Sequence, residues 1–264
     1  MPSKLHTETT GRGPDLFLVH GWALHGGIWN GVAQILAQTY RVTCVDLPGH
    51  GLSRESPAPA TLSGLAKQLL DAAPENAIWL GWSLGGLACL RAALDFPGRV
   101  RALLLTNSTP RFVSAHDWPH AMPPAQLKEF IVELHDDYRK TIQRFLALQV
   151  RGDESARGVL RQLRASVFAR GEPSVLALER GLEWLRDSDL RAELHGIRIP
   201  TLVMSGQYDR LTPPEAGAFL AAGIDGAKLV ALPRAAHVPF LSHPAEFTAT
   251  LIQFLRKAAG FTHA

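Results

Sequence analysis

Ser83 stands between two glycines, Gly81 and Gly85, at the point in "WLGWSLGGLAC" (79–89) where an apolar run stops and a helical pattern begins. A serine carried from a buried strand directly into a helix turns the backbone sharply and leaves its hydroxyl exposed above the sheet. The turn draws strand and helix so close that side chains two residues before and after the serine would collide, and glycine suits both places. Gly86 and Ala88 extend the close approach. The chemistry this favours is attack of a hydroxyl on an acyl carbon.

A serine hydroxyl is a weak nucleophile at neutral pH, so it needs a general base within reach and an acid to orient that base. Asp209 lies three residues past Gly206 in "VMSGQYDRLTP", and His237 follows "LVALP" in "RAAHVPFLSHP". Each sits just beyond an apolar run, in the chain order serine, acid, histidine that such a turn accompanies. Among eleven histidines, His243 is the nearest competitor, but "SHPAEF" reads as the start of the last helix. Asp187 and Asp189 are rival acids that follow no strand. An oxyanion needs two backbone N–H donors. Leu84 supplies one, and the turn after "LVHGW" offers Trp22, with His20 and Gly21 shaping it. The Trp22 indole would then be free to line an acyl pocket.

These residues must be held by a sheet. Apolar runs at 15–21, 41–49, 76–82 and 101–108 lack alternation, so they read as strands covered on both faces. Helices fit at about 28–38, 61–73 and 84–95. From about 110 to 190 the pattern is helical and charged, and strands resume at 199–206 and 227–233 before a last helix near 244–257. The expectation is an α/β core from 1–109 and 191–264, interrupted by a helical cap over 110–190.

With 46% apolar and 19% charged residues, 264 residues make one folded α/β domain and exclude a largely disordered chain. No apolar run is long enough to span a membrane and the start lacks a secretory signal, so a cytoplasmic location is expected. Cys44 and Cys89 read as buried small hydrophobes rather than a disulfide or metal set. A net charge of +3 does not point to nucleic acid by itself.

Together "HGW", "DLPGHGLS", "GWSLGG", "SGQYDRLTP" and "AAHVPF" resemble the α/β-hydrolase superfamily across nearly the whole chain. Ser83 argues against its dehalogenase and epoxide hydrolase members, whose nucleophile is aspartate. More narrowly, "AIWLGWSLGG", "RFLALQ" (144–149) and "FLSHPAEF" are similar to the pimeloyl-acyl-carrier-protein methyl ester esterases of biotin synthesis. That resemblance implies Ser83, Asp209 and His237 as the triad. It places Trp22, Ser83, Leu84, His237 and the segment Phe145, Leu146, Ala147, Leu148 and Gln149 around the substrate. It implies no metal or organic cofactor and an acyl-carrier protein as partner; a monomer is expected.

Charge in the insertion supports that partner. Between 139 and 170, Arg139, Lys140, Arg144, Arg151, Arg157, Arg161, Arg164 and Arg170 face only Asp153 and Glu154. Arg157, Arg161 and Arg164 fall on one face if the segment is helical. Such a face steers an acidic or phosphate-bearing partner, although it also serves as an ordinary solvated surface. By resemblance Lys140, Arg144, Arg157 and Arg161 take the carrier-contacting positions, with a lysine at 140 where arginine is common. A generalist short-chain carboxylesterase without a carrier, and a ligand receptor on the same scaffold, remain the alternatives.

Overall fold

A computed structural model describes residues 4–258, so the outermost residues of the expected core, 1–3 and 259–264, lie outside it. The strands are β1 (Thr7–Thr10), β2 (Asp15–Val19), β3 (Arg41–Val45), β4 (Ala77–Trp82), β5 (Val100–Thr106), β6 (Thr201–Gly206) and β7 (Lys228–Leu232). They form one sheet in the order β1-β3-β2-β4-β5-β6-β7, in which every pair is parallel except β1 with β3. β4 and β6 are buried along their whole length, as expected for strands covered by helices on both faces. All six strands read from the sequence are present; each ends or begins within a few residues of the expected bounds, and β5 starts one residue earlier, at Val100.

The helices are α1 (Asn30–Leu36), α2 (Leu62–Ala72), α3 (Leu84–Asp95), α4 (Pro124–Asp136), α5 (Tyr138–Gln149), α6 (Ala156–Ser166), α7 (Val175–Asp187), α8 (Pro214–Gly223), α9 (Pro239–Ser242) and α10 (Pro244–Ala258). Helices α4–α7 fill the connection between β5 and β6 and form the helical insertion. No helix among the described residues is long and apolar enough to cross a membrane. The antiparallel β1 was not expected. Its sequence "TETT" is polar and short, and it reads as a strand only because its backbone pairs with β3, Thr7 opposite Val45 and Thr10 opposite Val42.

The strand order reverses between β2 and β4, which sit side by side although β3 lies between them in sequence. The crevice beyond the carboxyl ends of two such strands is where an open α/β sheet binds its ligand. Here β2 ends in the Trp22 turn and β4 ends in Ser83.

The glycines around Ser83 act through space. A Cβ at Gly85 would lie 2.4 Å from the His20 carbonyl oxygen and 2.5 Å from that of Val19, and one at Gly81 would lie 2.6 Å from the Gly85 carbonyl. These neighbours are backbone and cannot swing aside. Gly85→Ala is therefore expected to destabilise the fold by about 3 kcal/mol or more; an unchanged urea midpoint would contradict this packing.

Candidate active site

Ser83 has φ 55° and ψ −121°, a conformation that L-residues rarely adopt and that is held at a cost of about 1–3 kcal/mol. Its backbone is fixed on every side. The Ser83 amide donates to the Thr106 carbonyl at 3.2 Å, and the Ser83 carbonyl accepts from the Leu87 amide at 3.1 Å and from the Ser108 hydroxyl at 3.0 Å. The strain is thus imposed by the junction of β4, β5 and α3 and aims the side chain out of the sheet.

Asp209 and His237 meet beyond the ends of β6 and β7. The His237 Nδ1 donates to Asp209 Oδ2 at 2.7 Å, and both side chains are buried. Asn107 Nδ2 and the Thr212 hydroxyl donate to the same Oδ2, each at 2.6 Å, while the amides of Leu211 and Thr212 donate to Oδ1 at 2.8 and 3.0 Å. Burial alone would push this carboxyl up. The His237 pair and the hydrogen bonds from His237, Thr212 and Asn107 outweigh burial and hold Asp209 below the ordinary aspartate range. Asp209 is therefore ionised, with four donors besides the imidazole.

Trp82, the residue before Ser83, ties the His237 loop to the elbow: its Nε1 donates to the His237 carbonyl at 2.9 Å and its ring lies 5.6 Å from the imidazole. The His237 Nε2 is buried and bonded to no protein atom, which leaves it available to a proton from the Ser83 side.

The two expected oxyanion donors lie across the β2–β4 crevice. Leu84 is the first residue of α3, so its amide has no acceptor within the helix. Gly21 brings the other turn against the elbow, since a Cβ there would lie 3.2 Å from Ser83 Cβ. His20 holds this turn. The Leu47 amide donates to its Nε2 at 2.9 Å, so the proton sits on Nδ1, which donates to the Gly21 carbonyl at 2.8 Å. Burial, with His50 beside it, keeps His20 well below the ordinary histidine pKa and hence neutral.

The insertion closes over this crevice. Trp22 Nε1 donates to the Leu178 carbonyl of α7 at 2.9 Å, and the Trp22 ring packs edge-on against Phe145 of α5, which in turn meets Phe130 of α4. Of the segment 145–149, Phe145, Leu146 and Gln149 are buried and Leu148 is half-buried. Ala147 is exposed on the outer side of α5, because a helix cannot turn five successive residues inward. Ser83 itself is only 6% exposed.

The rival residues are engaged elsewhere. Asp189 is bound by Arg111 and Arg191, Asp187 by Arg186, and His243 Nδ1 contacts the Ser242 hydroxyl at the head of α10. The basic segment also differs from its sequence count. Arg139 pairs with Glu172, Arg170 with Glu8 and Asp46, and Arg144 with Glu133 and Glu129 while stacking on Phe130. These acids lie outside the 139–170 window, so the excess of charge is smaller than the local sequence suggests. Lys140, Arg157, Arg161 and Arg164 are exposed, the last three along one face of α6.

Asn107 and Thr212 went unread, although Asn107 follows β5 directly, the same placement that singled out Asp209 and His237. The scaffold under the Trp22 turn was also unread. Buried Asp46 accepts from the Gly26 and Leu52 amides and pairs with Arg170, and His25 Nε2 donates to the Ser166 carbonyl of α6. His50, buried in the same cluster, is pushed down to about 4 by burial. In the unfolded chain it protonates near 6.5, so the unfolded state takes up the proton first and stability falls as pH drops through that window. The loss from this residue is about 3 kcal/mol. His50→Asn, whose amide can keep the Pro48 carbonyl bond, is expected to lose less stability between pH 7 and pH 4.5 in urea titrations; an equal loss would contradict the assignment.

Comparison with known proteins agrees with this geometry. Residues 14–244 match the α/β hydrolase fold family. The chain is 45% identical over 251 residues to the pimeloyl-[acyl-carrier protein] methyl ester esterase of Stenotrophomonas maltophilia, covering 95% of this chain and 96% of that one. It is 43% identical to the enzyme of the same name from Nitrosomonas europaea, covering 93% and 97%. A hydrolase of known structure from Pseudomonas aeruginosa superposes with a TM-score of 0.80 at 32% identity, covering 95% of this chain and 94% of that one. The chain therefore belongs to the α/β-hydrolase family and, within it, to the branch of the pimeloyl-[acyl-carrier protein] methyl ester esterases.

Proposed function

We propose that this protein is a serine carboxylesterase that hydrolyses the terminal methyl ester of a pimeloyl chain carried on acyl-carrier protein, as a step of biotin synthesis. The observation that carries the chemistry is the buried Asp209–His237 pair, bonded at 2.7 Å and joined through Trp82 to the strained Ser83 elbow. The substrate class follows the relatives that share more than two fifths of this sequence.

In this reading His237 Nε2 takes the Ser83 proton as the hydroxyl attacks the ester carbonyl, and Asp209 stabilises the imidazolium through Nδ1. The Leu84 and Trp22 amides receive the oxyanion. Methanol departs with the proton from His237, water activated by the same imidazole attacks the acyl-enzyme, and a carboxylate is released that stays joined to the carrier through its other end. Helices α4–α7 act as a lid, with Phe130 and Phe145 along the acyl path. The carrier docks on the exposed cations Lys140, Arg157 and Arg161. Arg144, tied to two glutamates, contributes less charge than its position suggests.

Two experiments test this. Ser83→Ala is expected to lower kcat on a p-nitrophenyl ester by about 10,000-fold or more; retention of wild-type turnover would reject the nucleophile. Arg157→Glu with Arg161→Glu is expected to lower kcat/KM for the carrier-bound methyl ester at least tenfold at low salt, and to leave a free methyl ester unaffected. Equal rates on both substrates in the wild type, without salt dependence, would favour the generalist esterase.

A further inference from the structure

The backbone of the base is clamped from two sides. Every polar backbone atom of Ala236 and His237 is bonded, half by the core and half by the insertion. From the core, Asn107 Nδ2 donates to the Ala236 carbonyl at 3.1 Å and Trp82 Nε1 donates to the His237 carbonyl at 2.9 Å. From the insertion, the Gln149 carbonyl at the end of α5 accepts the His237 amide at 3.0 Å, and Asp153 Oδ2 accepts the Ala236 amide at 3.0 Å. Asp153 is the one side chain that the insertion contributes to this clamp.

Asp153 is built for the task. It is 8% exposed, and its other oxygen accepts the Ser155 amide at 2.8 Å, immediately ahead of α6. One carboxylate thus joins the head of α6 to the base loop, with two charge-assisted bonds that a neutral side chain cannot both supply. The positive end of the α6 dipole favours a negative charge there. Beside it, Glu154 pairs with Arg234 on the surface, and Gly152, Tyr208 and Asp209 line a recess of about 350 Å³.

We infer that Asp153 is a positioning residue for catalysis: it sets the height and tilt of the His237 imidazole by holding the Ala236 amide from the insertion. This rests on the reading of His237 as the general base. A misplacement of the base by a fraction of an ångström lowers the rate of proton transfer while leaving acyl binding largely intact, so the effect falls on kcat.

The experiment compares Asp153→Ser with Glu154→Gln on a p-nitrophenyl ester. A serine at 153 is shorter and can keep the bond at the head of α6 but cannot span to Ala236 as well. A glutamine at 154 removes the exposed pair with Arg234 from the same turn and leaves both Asp153 bonds in place. The expected result is a kcat at least tenfold lower for Asp153→Ser with KM changed less than threefold, and a kcat within twofold of wild type for Glu154→Gln. Hydrogen exchange by NMR on the wild type provides a second readout, with slow exchange expected at the Ala236 amide whether or not the serine variant folds. Wild-type kcat in folded Asp153→Ser, an equal loss in both variants, or exchange at Ala236 as fast as in exposed loops would overturn the inference. His237→Ala separates the two levels: turnover surviving that change removes the reading of the base itself, whereas turnover that depends on His237 but ignores Asp153 removes the positioning role alone.

Discussion

The structure depends on one close approach, that of α3 to β4 and β2 at Gly81 and Gly85. No side chain fits between the Gly85 Cα and the carbonyls of Val19 and His20, and this contact brings the Ser83 elbow next to the Trp22 turn. The residues of the candidate site are placed relative to it. The Leu84 amide heads α3, the Gly21 turn touches the Ser83 side chain, and Trp82 extends in the opposite direction to hold the His237 carbonyl. The strain at Ser83 is local and small against the packing that enforces it.

Around this contact the molecule arranges two kinds of histidine by environment. His237 has an ionised carboxylate on one nitrogen and an open position on the other, the arrangement a proton carrier requires. His20, His25 and His50 are spent on backbone groups: they fix the Gly21, Gly27 and Pro48 turns, and burial keeps His20 and His50 neutral. The insertion is bonded to both loops of the candidate site. Trp22 reaches α7, His25 reaches α6, and the base loop is held by Gln149 and Asp153. The insertion is therefore bonded into the frame that holds the candidate site.

The sequence makes most of this frame readable because the signals are local. A glycine two residues either side of a serine, an aspartate three residues past a buried strand and a histidine just past the next each declare themselves within a short window. What escaped depends on contacts between distant segments. Strand β1 has no apolar pattern and exists through its pairing with β3. Asn107 and Thr212 are ordinary polar residues until Asp209 is brought between them. Asp153 looks like a solvated charge in a basic helix region, and its burial against Ala236, 83 residues away, is legible only in three dimensions. The charge of the segment 139–170 was overstated for the same reason, since Glu8, Asp46, Glu129, Glu133 and Glu172 approach from outside it.

The central claim is that Ser83, His237 and Asp209 act as one unit in which the serine is the residue that becomes acylated. Labelling with a fluorophosphonate, followed by peptide mass spectrometry and assay of the labelled protein, tests it directly. A single adduct on Ser83, accompanied by loss of ester hydrolysis in proportion to labelling, is the expected result. An adduct confined to another residue, or hydrolysis that persists once Ser83 is fully modified, would contradict it.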